Sequence, residues 1–218
     1  MVAVGGSQTT ALHYGAAGAH AAVILAHGAG APQTHPWMVR MAGALASRGL
    51  DVFTFNFLYA EARRRLPDKS ALLEATWRAA IDAVRARSEL ARRRLFIGGK
   101  SMGGRIATQV AAAGSDGIAD LGGLVLLGYP LHPPGRPDKL RAAHLATVEA
   151  PMLFVQGSRD AFGSPAELEP FVAPLASRRT RVFAIEGGDH SLATPRSSGI
   201  DLEKVMARVA DEIATFTA

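Results

Sequence analysis

The 218-residue chain predicts an α/β protein with a mostly parallel sheet of about six to seven strands and helices on both faces. Three observations carry that expectation. Apolar runs of strand length alternate with helical patterns from the first third of the chain to its end, which is the mark of βαβ units. The runs are continuously apolar rather than alternating, as strands covered on both faces should be. A serine between glycines, Gly99-Lys100-Ser101-Met102-Gly103, stands where one such run meets the helix that follows it.

In chain order, Thr10 to Tyr14 reads as an additional edge strand and Ala22 to Ala26 as the first interior strand. A helix from Trp37 to Arg48, stopped by Gly49, leads to a strand at Asp51 to Asn56. Ser70 marks the start of a helix over Ala71 to Ser88, and the strand Arg94 to Gly98 follows. The helix Gly103 to Ala113, stopped by Gly114, leads to the strand Leu124 to Gly128. A helix is expected at Pro137 to Val148 and a strand at Met152 to Gln156. Ser164-Pro165 opens a helix reaching Leu175, and the strand Arg181 to Glu186 precedes a last helix, Asp201 to Thr217, with Asp201 placed to cap the amide of Lys204. With no repeat, low-complexity tract or linker, residues 1–218 read as one domain.

Composition narrows the function. At 48% hydrophobic, a chain of this length buries roughly 70% of its extended surface and sustains its own core. The absence of cysteine excludes disulfides, thiolate metal sites and a thiol nucleophile. No basic start is followed by a long apolar stretch and no run of about 18 apolar residues occurs, so a cytoplasmic protein away from the membrane is expected. The 24 basic against 19 acidic residues give a net charge of +5. The clusters Arg63-Arg64-Arg65, Arg92-Arg93-Arg94 and Arg178-Arg179 lack interleaved aromatics or a recognisable motif, so they read as solvated helix ends and turns rather than a nucleic-acid surface.

The glycine-flanked serine is where chemistry is expected. A nucleophile held on a sharp strand-to-helix turn needs hydrogen in place of side chains two residues to either side, where a Cβ would strike the neighbouring strand or helix. Serine is a weak nucleophile unless a histidine removes its proton and an acid orients that histidine. Ser101, Asp160 and His190 occur in the order Ser, Asp, His, and the latter two sit in polar loops directly after expected strands. The C-terminal ends of parallel strands share one edge, so the three side chains can converge. His13, His20, His35, His132 and His144 precede Asp160 and break that order, and Asp189 adjoins His190 too closely to orient it. Two backbone donors are also needed for the oxyanion. Met102 supplies one, and the loop His27-Gly28-Ala29-Gly30 the other, through Ala29 with Gly28 as the second choice. His27 reads as a structural hydrogen-bonding residue beneath that loop.

The segments His27-Gly28-Ala29-Gly30, Asn56-Phe57-Leu58-Tyr59, Gly98 to Arg105, Gly157-Ser158-Arg159-Asp160 and Gly188-Asp189-His190-Ser191 together resemble a family of small α/β-hydrolase-fold proteins, often described as dienelactone-hydrolase-like. Relatives in that family include a testis-expressed protein and a subunit of a chromatin-acetylating complex. The resemblance implies a serine hydrolase, an esterase-like enzyme with Ser101, Asp160 and His190 as its triad. Dienelactone hydrolases proper use a cysteine, which is absent here, so their substrate is not carried over. The chromatin-associated relative implies an alternative, a non-catalytic protein-interaction module.

The expected substrate is a small ester, thioester or lactone, cleaved through an acyl-serine. Gly99-Lys100-Ser101 also ends like a phosphate-binding loop, but the required first glycine falls at Arg94. Lys100 and Arg105 are expected to point sideways into neighbouring loops. No metal-ligand spacing is present, and neither a metal nor another cofactor is expected. Tyr129 to Gly135 is too short to hold a lid domain, so the site should be open, with Trp37, Phe57, Tyr59, Tyr129 and Leu131 as candidate pocket walls and Arg63 to Arg65 as a possible attraction for an anionic group. The oligomeric state has no signal in the sequence.

Overall fold

The computed structural model describes residues 1–114, 118 and 120–218, apart from the side chains of residues 176–178 and 196; the Arg178 side chain of the third basic cluster thus lies outside the described residues. The elements in chain order are β1 (Val2–Val4), β2 (Ser7–Thr9), β3 (Ala11–Tyr14), β4 (Ala21–Ala26), α1 (Pro36–Ala46), β5 (Leu50–Phe55), α2 (Leu58–Glu61), α3 (Ser70–Arg85), α4 (Glu89–Arg93), β6 (Leu95–Lys100), α5 (Met102–Ala112), β7 (Leu121–Leu127), β8 (Met152–Gly157), α6 (Pro165–Val172), β9 (Arg181–Ile185) and α7 (Leu202–Thr217). Seven strands form the main sheet in the order β3-β5-β4-β6-β7-β8-β9. β3 runs antiparallel to β5, and every other pairing is parallel. This is the α/β-hydrolase fold.

Interior strands divide their side chains between two cores, as the two-residue pleat requires. Ala22, Ile24, Leu95, Ile97, Leu124, Leu126 and Phe154 face the layer of α3, α5 and α6. Val23, Leu25, Phe96, Val125, Leu127, Leu153 and Val155 face α1 and α7. The indole of Trp77 in α3 donates to the Gly103 carbonyl of α5 at 3.1 Å, fixing the helix that follows Ser101 against its neighbour.

Four expectations need correction. The segment Pro137 to Val148 is a series of turns ending in a 3-10 helix at Ala143–Thr147. Its apolar positions Ala142, Leu145 and Val148 are buried, but long-range bonds capture the backbone first: the Arg141 amide donates to Leu131 O at 2.8 Å, and Arg141 O accepts from the Tyr129 hydroxyl at 2.7 Å. α6 stops at Val172 and gives way to a 3-10 helix at Ala173–Arg178, because Pro174 has no amide to continue the α ladder. Ser70 is the first helical residue rather than the cap, and its hydroxyl donates to Glu74 at 3.1 Å. β7 begins at Leu121, earlier than expected, because Gly122 and Gly123 belong to the strand: a Cβ on Gly123 would stand 2.9 Å from Pro151 O. The hairpin of β1 and β2 and the short helices α2 and α4 carry too few residues to show a period.

β5 lies on one side of β4 and β6 on the other. The chain therefore reverses its direction of winding at β4, and a crevice opens beyond the C-terminal ends of β4 and β6, where doubly wound sheets bind their ligands. Ser101 and the loop beginning at His27 leave those two ends.

Candidate active site

Ser101 is held at φ 49°, ψ −116°, a region that L-residues enter only under strain of order 1–3 kcal/mol. Its amide donates to Leu127 O at 2.9 Å, and its carbonyl accepts from the Arg105 amide at 3.0 Å. The glycines are needed because the turn presses on β4. A Cβ on Gly99 would lie 2.1 Å from Ala26 O, and one on Gly103 would lie 2.5 Å from the same oxygen and 2.7 Å from His27 O. The obstruction on both sides is the backbone of the adjoining strand and its loop.

His190 Nε2 lies 2.8 Å from Ser101 Oγ. Its Nδ1 lies 2.9 and 3.0 Å from the two oxygens of Asp160, so the buried carboxylate fixes the tautomer with the proton on Nδ1 and Nε2 free to accept. Asp160 is itself held by the Phe162 amide and by the Gln156 side-chain amide, each at 2.8 Å. The phenyl ring of Phe162 lies 4.1 Å from the imidazole, centroid to centroid, tilted by 30°. Asp189 takes no part in orienting the ring; its carboxylate accepts from the amides of Ser191 and Ala193 and shapes the turn.

Two side chains pin the loop that carries His190. Lys100 Nζ donates to the His190 carbonyl at 2.9 Å and lies 5.1 Å from the centroid of the Trp37 ring. Trp37 Nε1 donates to the Ser191 carbonyl at 3.0 Å. Burial pulls the Lys100 amine down to about 8, opposed by the carboxylates of Asp160 and Asp189.

The loop after β4 is oriented from beneath. His27 Nδ1 donates to Gly28 O at 2.7 Å, while His27 Nε2 accepts from the Phe57 amide at 3.1 Å. The Tyr59 hydroxyl is shared between Gly28 O at 3.3 Å and Ala29 O at 3.1 Å. In a trans peptide the carbonyl and the following N–H point in opposite directions. Holding Gly28 O below the loop therefore turns the Ala29 amide away from His27, and no hydrogen bond occupies that amide among the described residues. Gly28 touches the serine instead, since a Cβ there would lie 3.6 Å from Ser101 Cβ. Met102 is the first residue of α5, so its amide has no intrahelical acceptor. An anion bonded to Ser101 Oγ beside these two amides would meet two donors and the positive end of a helix.

Two cavities open onto Ser101. One of about 360 Å³ is bordered by Trp37, Met38, Lys100, Phe162, His190 and the Gly28–Ala31 loop. The other, of about 320 Å³, lies over Met102 and includes Arg105, Arg141, Asp68 and Phe162. Of the expected walls, Trp37 borders the first. Phe57, Tyr129 and Leu131 expose 0, 1 and 1% of their surface and belong to the core; they follow strand ends, but their rings and branches turn inward, and Tyr129 is tied to Gln156 and Arg141. Tyr59 supports the loop from below and borders a separate cleft with Arg63 to Arg65. Phe162, which borders both cavities, and the buried Gln156 were not anticipated, since an aromatic in a loop and a glutamine near the end of an apolar strand carry no pattern of their own.

Strand order, strained serine and ordered side chains together define the class: an α/β-hydrolase. The chain belongs to the alpha/beta hydrolase domain family, whose model matches residues 19–218. Among solved structures it is similar to a dienelactone hydrolase from Anabaena variabilis, with TM-score 0.71, 20% identity, and 99% of this chain and 93% of that one covered. It is similar also to Est1E from Butyrivibrio proteoclasticus with ferulic acid bound, at TM-score 0.75, 12% identity, and 99% and 98% coverage. A third likeness is to XC6422 from Xanthomonas campestris, described as an α/β serine hydrolase without a lid, at TM-score 0.65, 18% identity, and 95% of each chain. Among the described residues no helix is long and apolar enough to cross a membrane.

Proposed function

We propose that this protein is a serine hydrolase that cleaves a small ester, thioester or lactone through an acyl-Ser101 intermediate. The observation that carries the reading is the continuous line from Asp160 through His190 Nδ1 and Nε2 to Ser101 Oγ, with links of 2.9 and 2.8 Å. Ser101 Oγ attacks the carbonyl carbon as its proton passes to His190 Nε2. The carbonyl electron pair moves onto oxygen, where the Ala29 and Met102 amides receive it. Collapse of the adduct expels the alcohol or thiol, which takes the proton from Nε2 and leaves the acyl group on Ser101. Water then attacks that ester with His190 again as base, and the acid departs as Ser101 regains its proton.

Est1E and the dienelactone hydrolase, both similar in fold, add support for ester chemistry. A purely structural role as an interaction module gives no reason for the backbone strain stored at Ser101. Incubation with a fluorophosphonate should label Ser101, and Ser101→Ala should lower turnover of an activated ester by about six orders of magnitude. Failure to label at neutral pH, or a Ser101→Ala rate close to wild type, would refute the assignment.

A further inference from the structure

The two cavities beside Ser101 differ in one decisive way: His190 borders the first and not the second. In the tetrahedral adduct the departing oxygen or sulfur must face His190 Nε2, because that nitrogen returns the proton. The leaving group therefore occupies the cavity with His190 and Trp37. The substituent on the acyl carbon extends the other way, over Met102.

On that side stand two guanidiniums. Arg105 lies four residues after Ser101, on the same face of α5. Arg141 is brought in by the turn segment after β7, with its backbone fixed by Leu131 and Tyr129. Both are half-buried, and among the described residues neither is ion-paired. The carboxylates nearby are engaged elsewhere: Asp68 with Arg64 at 2.6 Å and the Tyr59 amide at 2.9 Å, and Glu74 with Arg78 at 3.6 Å and Ser70 at 3.1 Å. Burial, followed by repulsion from Arg141, pulls the Arg105 guanidinium below its ordinary range. Glu74 acts on Arg105 through space and Asp68 borders the cavity, but with Asp68 bonded to Arg64 and Glu74 to Arg78 the two guanidiniums still leave an excess of positive charge there, which an anion bridging them would neutralise. The planar guanidinium fork suits a carboxylate best.

We propose that the Arg105 and Arg141 cavity is the acyl pocket and that the acyl group ends in a carboxylate, so that the substrate is a half-ester or half-thioester of a short dicarboxylic acid. This rests on the hydrolase reading and adds to it the side of the scissile bond that bears the charge. The leaving group, on the Trp37 side, carries no such requirement.

The test compares p-nitrophenyl hemisuccinate and hemiglutarate with p-nitrophenyl butyrate and valerate, which share a leaving group and differ in the terminal charge. The wild type should show a kcat/KM at least tenfold higher for a charged ester than for its neutral counterpart. Arg105→Gln and Arg141→Gln should each lower that ratio by roughly tenfold or more, the effect of losing a hydrogen bond to a charged group, and Arg→Lys should retain part of it. A ratio is independent of the folded fraction, and Arg141 lies outside the helix, so a folding defect in one variant leaves the other informative. Turnover of neutral esters with Ser101 labelled but no preference for charge, or a ratio unchanged in both variants, would overturn the acyl pocket alone. No labelling and no turnover of any ester would overturn the hydrolase reading, and the pocket with it.

Discussion

Gln156 is the most exacting test of how the site is held. It is the penultimate residue of β8 and fully buried, and its amide group makes four bonds: it accepts from the Tyr129 amide at 2.8 Å and donates to Tyr129 O at 3.2 Å, Asp160 Oδ2 at 2.8 Å and Gly163 O at 2.6 Å. Gln156→Leu keeps the volume and removes every one. The Tyr129 N–H is left buried without an acceptor, at about 1–3 kcal/mol, and the Asp160 carboxylate loses a charge-assisted bond worth about 1.5–3 kcal/mol. Leucine regains part of this by burying apolar surface in place of an amide. A net loss of about 3–5 kcal/mol follows, a large share of the roughly 5–15 kcal/mol typical of a domain. In urea the midpoint should fall by about 1–3 M with an unchanged slope. Asp160 retains the Phe162 amide and His190, so kcat/KM on a neutral p-nitrophenyl ester should drop by roughly tenfold rather than vanish. Gln156→Glu separates charge from shape. It sets a second carboxylate against Asp160, which must take up a proton to be tolerated, so its stability should recover as the pH is lowered. A stability loss below about 1 kcal/mol with unchanged kcat/KM in the leucine variant would show that Gln156 does not hold Asp160 in place.

Two further outcomes follow from the loop after β4 and the turn at Ser101. Burial holds the His27 imidazole at about 4 against an ordinary 6.5, and its Nε2 faces an N–H donor, so the folded state excludes the proton that the unfolded chain accepts. His27 therefore contributes full stability above about pH 6.5 and loses it as the pH falls toward 4, and in urea melts the difference between wild type and His27→Gln should change by about 2.5 kcal/mol from pH 7.5 to pH 4.5; an unchanged difference would mean that the ring is not held neutral. Gly103→Ala drives a methyl into two backbone oxygens at 2.5 and 2.7 Å, and should cost more than about 2 kcal/mol in thermal or urea unfolding, whereas a variant as stable as wild type would show that the strand-to-helix turn has room to open.

Much of the fold was legible because its strands are buried on both faces. Residues 21–26, 152–155 and 95–99 are apolar without alternation, and in an α/β chain that pattern marks strands sandwiched between helices. Legibility failed where tertiary bonds outrank local preference. The apolar spacing at Ala142, Leu145 and Val148 is compatible with a helix, yet the Tyr129 hydroxyl and Leu131 carbonyl draw the backbone of Arg141 into another path. The capping serines show the same limit on a smaller scale. Ser164 closes a reciprocal capping box with Glu167, while Ser70, equally suited by type, turns to Glu74 because Lys69 occupies the cap position.

The three linked side chains of the candidate site are legible for a reason of topology. Parallel strands deliver their C-terminal ends to one edge, so Ser101, Asp160 and His190 can be ordered from strand positions before any distance is known. Their supports follow no such rule. Lys100 points into the loop of His190, ninety positions away along the chain; Trp37 holds the next carbonyl from α1; Gln156 reaches Asp160 from inside an apolar strand. Each is an ordinary residue for its element, and its role exists only once the sheet has assembled. The same holds for Arg105 and Arg141. Separately they are two of many arginines in a basic chain, and only the folded molecule shows that they converge on the side of Ser101 that His190 does not border. The proposed acyl selectivity is therefore what sequence order conveys least, because it rests on two residues that no motif joins.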